Sequence, residues 1–160
     1  MSKTLKAVQK GFTIIELLIV IAIIAILALF VINNIQGGQA KARDQQRVND
    51  INAIKNQLES VYNETSTYPS TVSTTTLTGV EEGALKDPIG NQDVSNVTPV
   101  ANQAAALAAT AAADTGTSAG YYYIPYNCTG TTCTGYVLKA PVEKNTDAIT
   151  GVYVVKSLNQ

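Results

Sequence analysis

The sequence predicts an α+β protein, in which a long N-terminal helix packs on a small antiparallel β head. Three observations lead to this fold class. Residues 17–32 are uninterruptedly apolar, residues 39–64 carry apolar side chains at spacings of three and four, and three β-rich runs separated by turn residues follow. These patterns are typical of a helix that is first apolar and then amphipathic, and of a β-meander. The 160 residues are enough for one domain.

Composition argues against an enzyme. Histidine is absent, which removes Ser/His/Asp and Cys/His nucleophiles and the commonest metal ligand. Two cysteines cannot form a four-thiolate metal site by themselves. The net charge of −1 gives no global attraction to nucleic acid, so DNA binding is not supported. We therefore expect no catalytic residues, no metal and no cofactor.

The apolar run has the length of a membrane span. Extended back to Phe12 it covers 21 residues, which as a helix is about 31 Å long and matches a bilayer core. A removable secretory signal has a shorter apolar stretch and then a small-residue cleavage site, whereas Asn33 and Asn34 follow here. The run therefore predicts a retained single-pass membrane helix, in preference to a removed signal or a buried core helix.

A short motif, Gly11-Phe12-Thr13-Ile14-Ile15-Glu16, lies between a basic leader and the apolar run. A carboxylate at the edge of a membrane helix costs a few kcal/mol unless it reaches the interface or finds a partner. Glu16 lies about one helical turn from Phe12, so the interface is within its reach. With Lys6 and Lys10 ahead of it, the segment resembles the type IV prepilin family, in which a basic leader ends in Gly before Phe-Thr-x-x-Glu and an apolar helix.

This resemblance implies processing and assembly. A prepilin peptidase would recognise the leader through Lys6 and Lys10, cut between Gly11 and Phe12, and methylate the new N-terminus. Glu16 would then pair with the cationic amine of Phe12 on a neighbouring subunit. The expected organisation is a leader (1–11), a helix (12–64) that is transmembrane or filament core over 12–33 and amphipathic over 34–64, and a β head (65–160).

Asn33, Gly37 and Gly38 mark a predicted weak point in the helix. Many members of the family have a proline where this chain has Asn33, and that stretch can unwind in filaments. Two adjacent glycines cost a helix about 2 kcal/mol relative to alanine, so they would provide a similar weakness. The alternative is that they only mark the exit from the membrane.

The rest of the chain predicts the head. One apolar face of the helix should pack on a sheet; it comprises Val48, Ile51, Ile54, Leu58, Val61 and Tyr62. Residues 65–78 are rich in Ser and Thr and predict a loop, and the alanine-rich stretch to Ala113 predicts a short helix or a surface loop. The predicted strands are residues 121–124, 136–140 and 152–155. Cys128 and Cys133 lie in the first connection, where a disulfide would form outside the cell, with paired free thiols as the alternative.

The function expected from the resemblance is that of a structural pilin subunit. It would begin as a single-pass membrane protein and then join an extracellular type IV pilus for adhesion, motility or DNA uptake. Its partners would be other pilin subunits, the prepilin peptidase, the inner-membrane assembly machinery and the membrane.

Three alternatives remain open. The first is a pseudopilin of type II secretion, since residues 86–91 are similar to a motif of that group, although Asp147 is nearly alone where its calcium ligands would lie. The second is a membrane-anchored surface binding module. The third is an enzyme using isolated acids such as Asp87 or Asp93, which are more simply read as turn residues.

Overall fold

The computed structural model describes residues 12–109, 120–144 and 151–159, with only the backbone of residues 30–36. It is an α+β protein, as predicted. Its elements are helix α1 (Ile14–Thr65), strand β1 (Tyr68–Pro69), a 3-10 turn (Glu82–Leu85), strand β2 (Ser95–Asn96), helix α2 (Gln103–Ala108), and strands β3 (Tyr122–Thr129), β4 (Thr132–Pro141) and β5 (Val152–Lys156). Internal contacts divide the chain into two compact units, with the division between Gly38 and Gln39.

Helix α1 has defined signals at both ends. It begins at Ile14, two residues later than predicted, because Thr13 forms its N-cap. It ends at Thr65, where Ser66 has a φ of 57° and donates its backbone N–H to the carbonyl of Tyr62 at 2.7 Å. This is a left-handed cap, in which the residue after the helix satisfies a terminal carbonyl.

The helix continues through Gly37 and Gly38, so the local disturbance predicted there is not seen in the single chain. No helix among the described residues is both long and apolar enough to cross a membrane. The predicted transmembrane segment 12–33 includes residues 30–33, whose side chains lie outside the described set. The leader, with Lys6, Lys10 and Gly11, also lies outside it.

Strand β4 organises the sheet. One of its edges pairs with β3 in an antiparallel hairpin whose turn contains Gly130, at a φ of 63°. Its other edge pairs with β1 at Thr132 and Cys133 and with β5 from Val137 to Pro141. Strand β2 lies parallel to β3 on the far side. The predicted meander of three strands is confirmed.

Two short strands were not predicted. β1 lies within the stretch predicted as a loop, and β2 lies in a region without a predicted element. Each has two residues, which is too short for the alternating pattern that identifies a strand in sequence. The predicted short helix is present as α2, although it begins after Asn102, whose side chain accepts the N–H of Ala105 at 2.9 Å. Residues 110–113 of the alanine-rich stretch lie outside the described set.

The sheet is covered on both faces. On one face, Ile51, Ile54 and Leu58 of α1 are fully buried against tyrosines and leucines of the sheet and its loops, as the helical spacing predicted. On the other face, Ala106 of α2 packs with Ile124, Tyr126 and Val137. Because β4 lies between the two cores, its residues from Gly135 to Pro141 are all buried.

Candidate assembly site

The first residues of α1 form a reciprocal cap. Glu16 Oε2 accepts the backbone N–H of Thr13 at 2.9 Å and the Thr13 hydroxyl at 2.8 Å. In return, the Glu16 N–H donates to Thr13 Oγ1 at 3.3 Å. This is a capping box, which satisfies backbone donors that the first turn of a helix leaves without partners. The sequence signal was Thr-x-x-Glu immediately before the apolar run, and sequence reasoning did not use it as a cap.

The cap fixes where the Glu16 carboxylate lies. Both hydrogen bonds to it end on Oε2, which leaves Oε1 for a further donor. Thr13, which provides both donors, is the direct neighbour of Phe12, and Phe12 is 89% exposed. The Glu16 carboxylate therefore lies at the start of the helix. It is hydrogen-bonded to the residue next to Phe12, where cleavage would create a new amine.

The turns that follow present an apolar surface. Every described side chain from Phe12 to Leu29 is exposed, and the large apolar ones are between 47% and 89% exposed. Glu16 is the one ionisable residue in this stretch of sequence. Soluble monomers rarely expose contiguous apolar patches beyond a few hundred Å². This surface is therefore suited to contact with lipid or with the same surface of other subunits.

Arg47 ties α1 to two segments of the head. Its side chain is 2% exposed, and its Nε and Nη2 donate to both oxygens of Asp87 at 2.9 and 3.1 Å. Its Nη1 donates to Asp44 and to Glu143, each at 2.9 Å. Asp44 in turn accepts the backbone N–H groups of Glu143 and Lys144 at 2.9 and 2.8 Å. The helix is thus held to the loop before β2 and to the segment after β4.

Arg43 adds a second, more exposed cation to this network. It pairs with Glu143, and its side chain is 32% exposed. The hydrogen bond from Arg43 lowers the pKa of Glu143, with a further contribution from the charge of Arg47. Asp87, predicted as a turn residue, does accept the N–H of Ile89 at 2.7 Å, but it is also the buried partner of Arg47. No local pattern marks that pairing, because 40 residues separate the two side chains.

Glu59 is the second anchor between α1 and the head. Its carboxylate accepts the hydroxyls of Tyr68 at 2.7 Å and Tyr136 at 2.9 Å. It also accepts the backbone N–H of Leu158 at 3.1 Å and the side-chain amide of Asn159 at 3.2 Å. Burial, together with the hydrogen bond to Glu59, raises the pKa of Tyr68 to about 12.

The two cysteines form the predicted disulfide. Cys128 of β3 and Cys133 of β4 are direct cross-strand partners, with Cα atoms 3.9 Å apart. Cys133 belongs to the core beneath α1, and Cys128 packs against that core. The bond therefore closes the end of the β3–β4 hairpin at the point where β1 joins β4.

The structure does not bring the remaining predicted site residues into a common site. A Cβ added to Gly37 or Gly38 would meet no atom within 4 Å, so packing in the single chain does not require glycine there. The side chain of Asn33 lies outside the described set, and melting of this stretch in a filament stays a prediction. Within the described ranges, no three acidic or cysteine side chains are grouped as metal ligands would be.

Comparison with known proteins finds relatives of the N-terminal part. The family model described as the prokaryotic N-terminal methylation motif matches residues 6–32. The chain is 43% identical over 63 residues to the type II secretion system core protein G of Vibrio cholerae, covering 39% of this chain and 43% of that protein. The protein of the same name in Escherichia coli is 41% identical over 63 residues, with the same two coverages.

A fimbrial protein of Pseudomonas aeruginosa is 46% identical over 52 residues, covering 32% of this chain and 34% of that protein. The chain thus spans less than half the length of each of these relatives. No solved structure matches the chain.

Proposed function

We propose that the protein is a structural subunit of a type IV pilus, because its residues 6–32 match the model of the prokaryotic N-terminal methylation motif and its N-terminal part is similar to a fimbrial protein. In this proposal the precursor is inserted in the membrane through residues 12–33 and cut between Gly11 and Phe12. The new N-terminus is methylated, and the mature chain joins other pilin-like subunits in an extracellular filament. The observation that carries the proposal is the exposed apolar surface from Phe12 to Leu29, with the capped Glu16 in its first turn.

The capping box supports a specific role for Glu16. Because Oε2 is held by Thr13, the carboxylate stays oriented at the helix start and offers Oε1 to the amine of a neighbouring subunit. In the low dielectric of a bilayer or a filament core, such a pair attracts strongly, while an unpaired carboxylate is penalised. The apolar surfaces would then hold the subunits together, and the ion pair would fix their axial stagger.

The head would be a rigid body with no catalytic role of its own. Its Asp87 and Glu143 pair with Arg47 of α1, and the hydroxyls of its Tyr68 and Tyr136 donate to Glu59 of α1. These anchors support a function in which the amphipathic part of α1 and the sheet move as one unit. Adhesion, motility and DNA uptake are all compatible with such a subunit.

A pseudopilin of type II secretion is the second candidate. The matches to core protein G extend over 63 residues, against 52 for the fimbrial protein, which favours this alternative. A pseudopilin would share the processing and the Glu16 pairing but would not form surface filaments.

Mass spectrometry of the N-terminus, on membranes and on material sheared from the cell surface, tests these proposals. A chain that begins at methylated Phe12 in the sheared fraction supports the pilus subunit. The same chain found in membranes alone supports the pseudopilin. An intact leader in both fractions contradicts both.

Two variants separate the cap from the ion pair. Glu16→Gln keeps an oxygen that can accept the Thr13 N–H but removes the charge, so we expect normal cleavage and no filaments. Thr13→Ala keeps the charge and removes the hydroxyl, which weakens the cap by about 1 kcal/mol and should reduce filaments much less. Equal amounts of filament from Glu16→Gln and the unchanged chain would refute the pairing.

A further inference from the structure

The head contains a polar pocket that the filament proposal does not use. A cavity of about 330 Å³ lies between the loop at residues 72–74, the 3-10 turn with the following Lys86, and residues 93–96. Its apolar lining consists of Val72, Leu85 and Val94, which are 2%, 2% and 7% exposed. Its polar lining consists of Ser73, Thr74, Glu82, Lys86, Asp93 and Asn96.

One wall of the pocket is fixed by side chain–backbone bonds. The Asn96 amide bonds to both polar atoms of the Val72 backbone, accepting its N–H at 2.6 Å and donating to its carbonyl at 2.9 Å. The adjacent turn is closed by the Ser73 N–H, which donates to the Thr76 hydroxyl at 2.8 Å, and by the Leu77 N–H, which donates to the Ser73 carbonyl at 2.9 Å. This wall is therefore formed before any ligand arrives.

The opposite wall is a small antiparallel bridge. Lys86 and Asp93 are bridge partners, flanked by a bond from the Val94 N–H to the Leu85 carbonyl at 2.8 Å. Asp87, the next residue, is held by Arg47. Lys86 and Asp93 thus stand beside each other on a backbone that is anchored to α1.

Several polar groups of the pocket retain hydrogen-bonding capacity. Lys86 Nζ donates to Glu82 Oε1 at 2.6 Å, which uses one of its three N–H groups. Within the described ranges, the side chains of Asp93 and Thr74 make no hydrogen bond. The carboxylate of Asp93 interacts with the ammonium of Lys86 electrostatically, without a hydrogen bond between them. The pocket therefore offers carboxylate acceptors, ammonium donors and a hydroxyl around an apolar floor.

We propose that this pocket binds one neutral hexose unit of a glycan. A hexose has a C–H face that suits the floor of Val72, Leu85 and Val94, and it has neighbouring hydroxyls that can donate to Asp93 while accepting from Lys86. The volume is near the lower end of the roughly 300–1,000 Å³ typical of small-molecule sites, which suits a single ring. The carboxylates of Glu82 and Asp93 outnumber the ammonium of Lys86, so the pocket would repel an acidic sugar. The positive charge of Lys86 would likewise repel a metal ion.

The affinity should be low, because no aromatic side chain among the described residues lines the pocket for a sugar ring to stack on. Ligand efficiencies of ordinary small molecules give a hexose a Kd of about 1 mM. Such a site becomes effective when many copies act together, as they would along a filament. The inference itself rests on the head alone and does not depend on which filament the subunit forms.

Saturation-transfer NMR on the full chain in detergent tests the proposal, with glucose, galactose, mannose and N-acetylglucosamine as separate probes. We expect at least one probe to bind, and Asp93→Ala and Lys86→Met each to weaken that binding at least tenfold. Glu81→Gln changes a neighbouring exposed carboxylate that does not line the pocket, so binding should be unchanged. Near-UV circular dichroism checks that each variant is folded.

Three outcomes would overturn the inference. The first is that none of the four sugars binds at about 10 mM, ten times the expected Kd. The second is that binding survives in Asp93→Ala. The third is that sialic acid or a polyamine binds to the pocket more tightly than any of the four neutral sugars.

Discussion

Replacing Arg47 should destabilise the head far more than replacing Arg43, although the two arginines share a helix and a partner. Arg47→Met keeps most of the side-chain volume and removes the charge, which leaves Asp87 unpaired with none of its side chain exposed. Breaking a buried pair by removing one member costs about 3–5 kcal/mol. Arg43→Met breaks a pair whose arginine is 32% exposed, and exposed pairs contribute about 0.2–1 kcal/mol.

Urea unfolding of the full chain in detergent, followed by the near-UV circular dichroism of its tyrosines, measures the difference. At an m-value of about 2 kcal/mol/M, Arg47→Met should lower the midpoint by about 2 M, and Arg43→Met by less than about 0.5 M. Adding Asp87→Leu to Arg47→Met removes the unpaired buried carboxylate, so part of the loss should return. Equal midpoints for the two single variants would show that the buried network does not carry the stability assigned to it.

Three further predictions concern the sheet. Gly135→Ala places a Cβ against the ring of its cross-strand partner Tyr126, so it should lower the stability measured in a thermal melt by about 1–3 kcal/mol. As a control, Gly83→Ala has no atom within 4 Å of the added Cβ and should leave the stability unchanged. Equal melting temperatures for the two variants would contradict the close approach. Replacing both cysteines by serine should lower the free energy of unfolding by about 2 kcal/mol, the value for so short a closed loop, and added reductant should then change nothing further. Burial raises the pKa of Tyr68 from 10.0 to about 12 and also raises the pKa of Tyr121, Tyr123 and Tyr136. The protonated phenols of these four tyrosines therefore stabilise the fold fully below pH of about 10 and lose that contribution as the pH rises towards 12 and beyond. The tyrosinate absorbance of these four should therefore appear together with unfolding, and their ionisation near pH 10 in a folded chain would refute this.

Local features of the chain were predictable from the sequence, whereas contacts between distant segments were not. The burial of Ile51, Ile54 and Leu58 follows from helical spacing, and the β3–β4–β5 meander follows from β-rich runs between turn residues. Such patterns are local, so a single sequence contains them completely. The start of α1 was also encoded locally, as Thr13 and Glu16.

The contacts that join distant segments had no such signal. Arg47 meets residues 40 and 96 positions away, and Glu59 meets the hydroxyl of a tyrosine 77 positions away. In the sequence, each of these charged residues resembles an ordinary surface residue, and only the fold shows which residues are paired. The same limit applies to the pocket, whose lining comes from three separate segments of the chain.

The hydrogen bonds of Asp44 and Glu59 have a mechanical consequence for the head. Asp44 binds the backbone just after β4, and Glu59 binds it just after β5. These two attachment points are about 22 Å apart along the axis of α1. A force carried by α1 therefore reaches the β4–β5 hairpin at both of its ends, so the hydrogen bonds of its ladder share the load. A subunit built this way resists tension better than one whose last strand is attached at a single end and can be peeled away bond by bond.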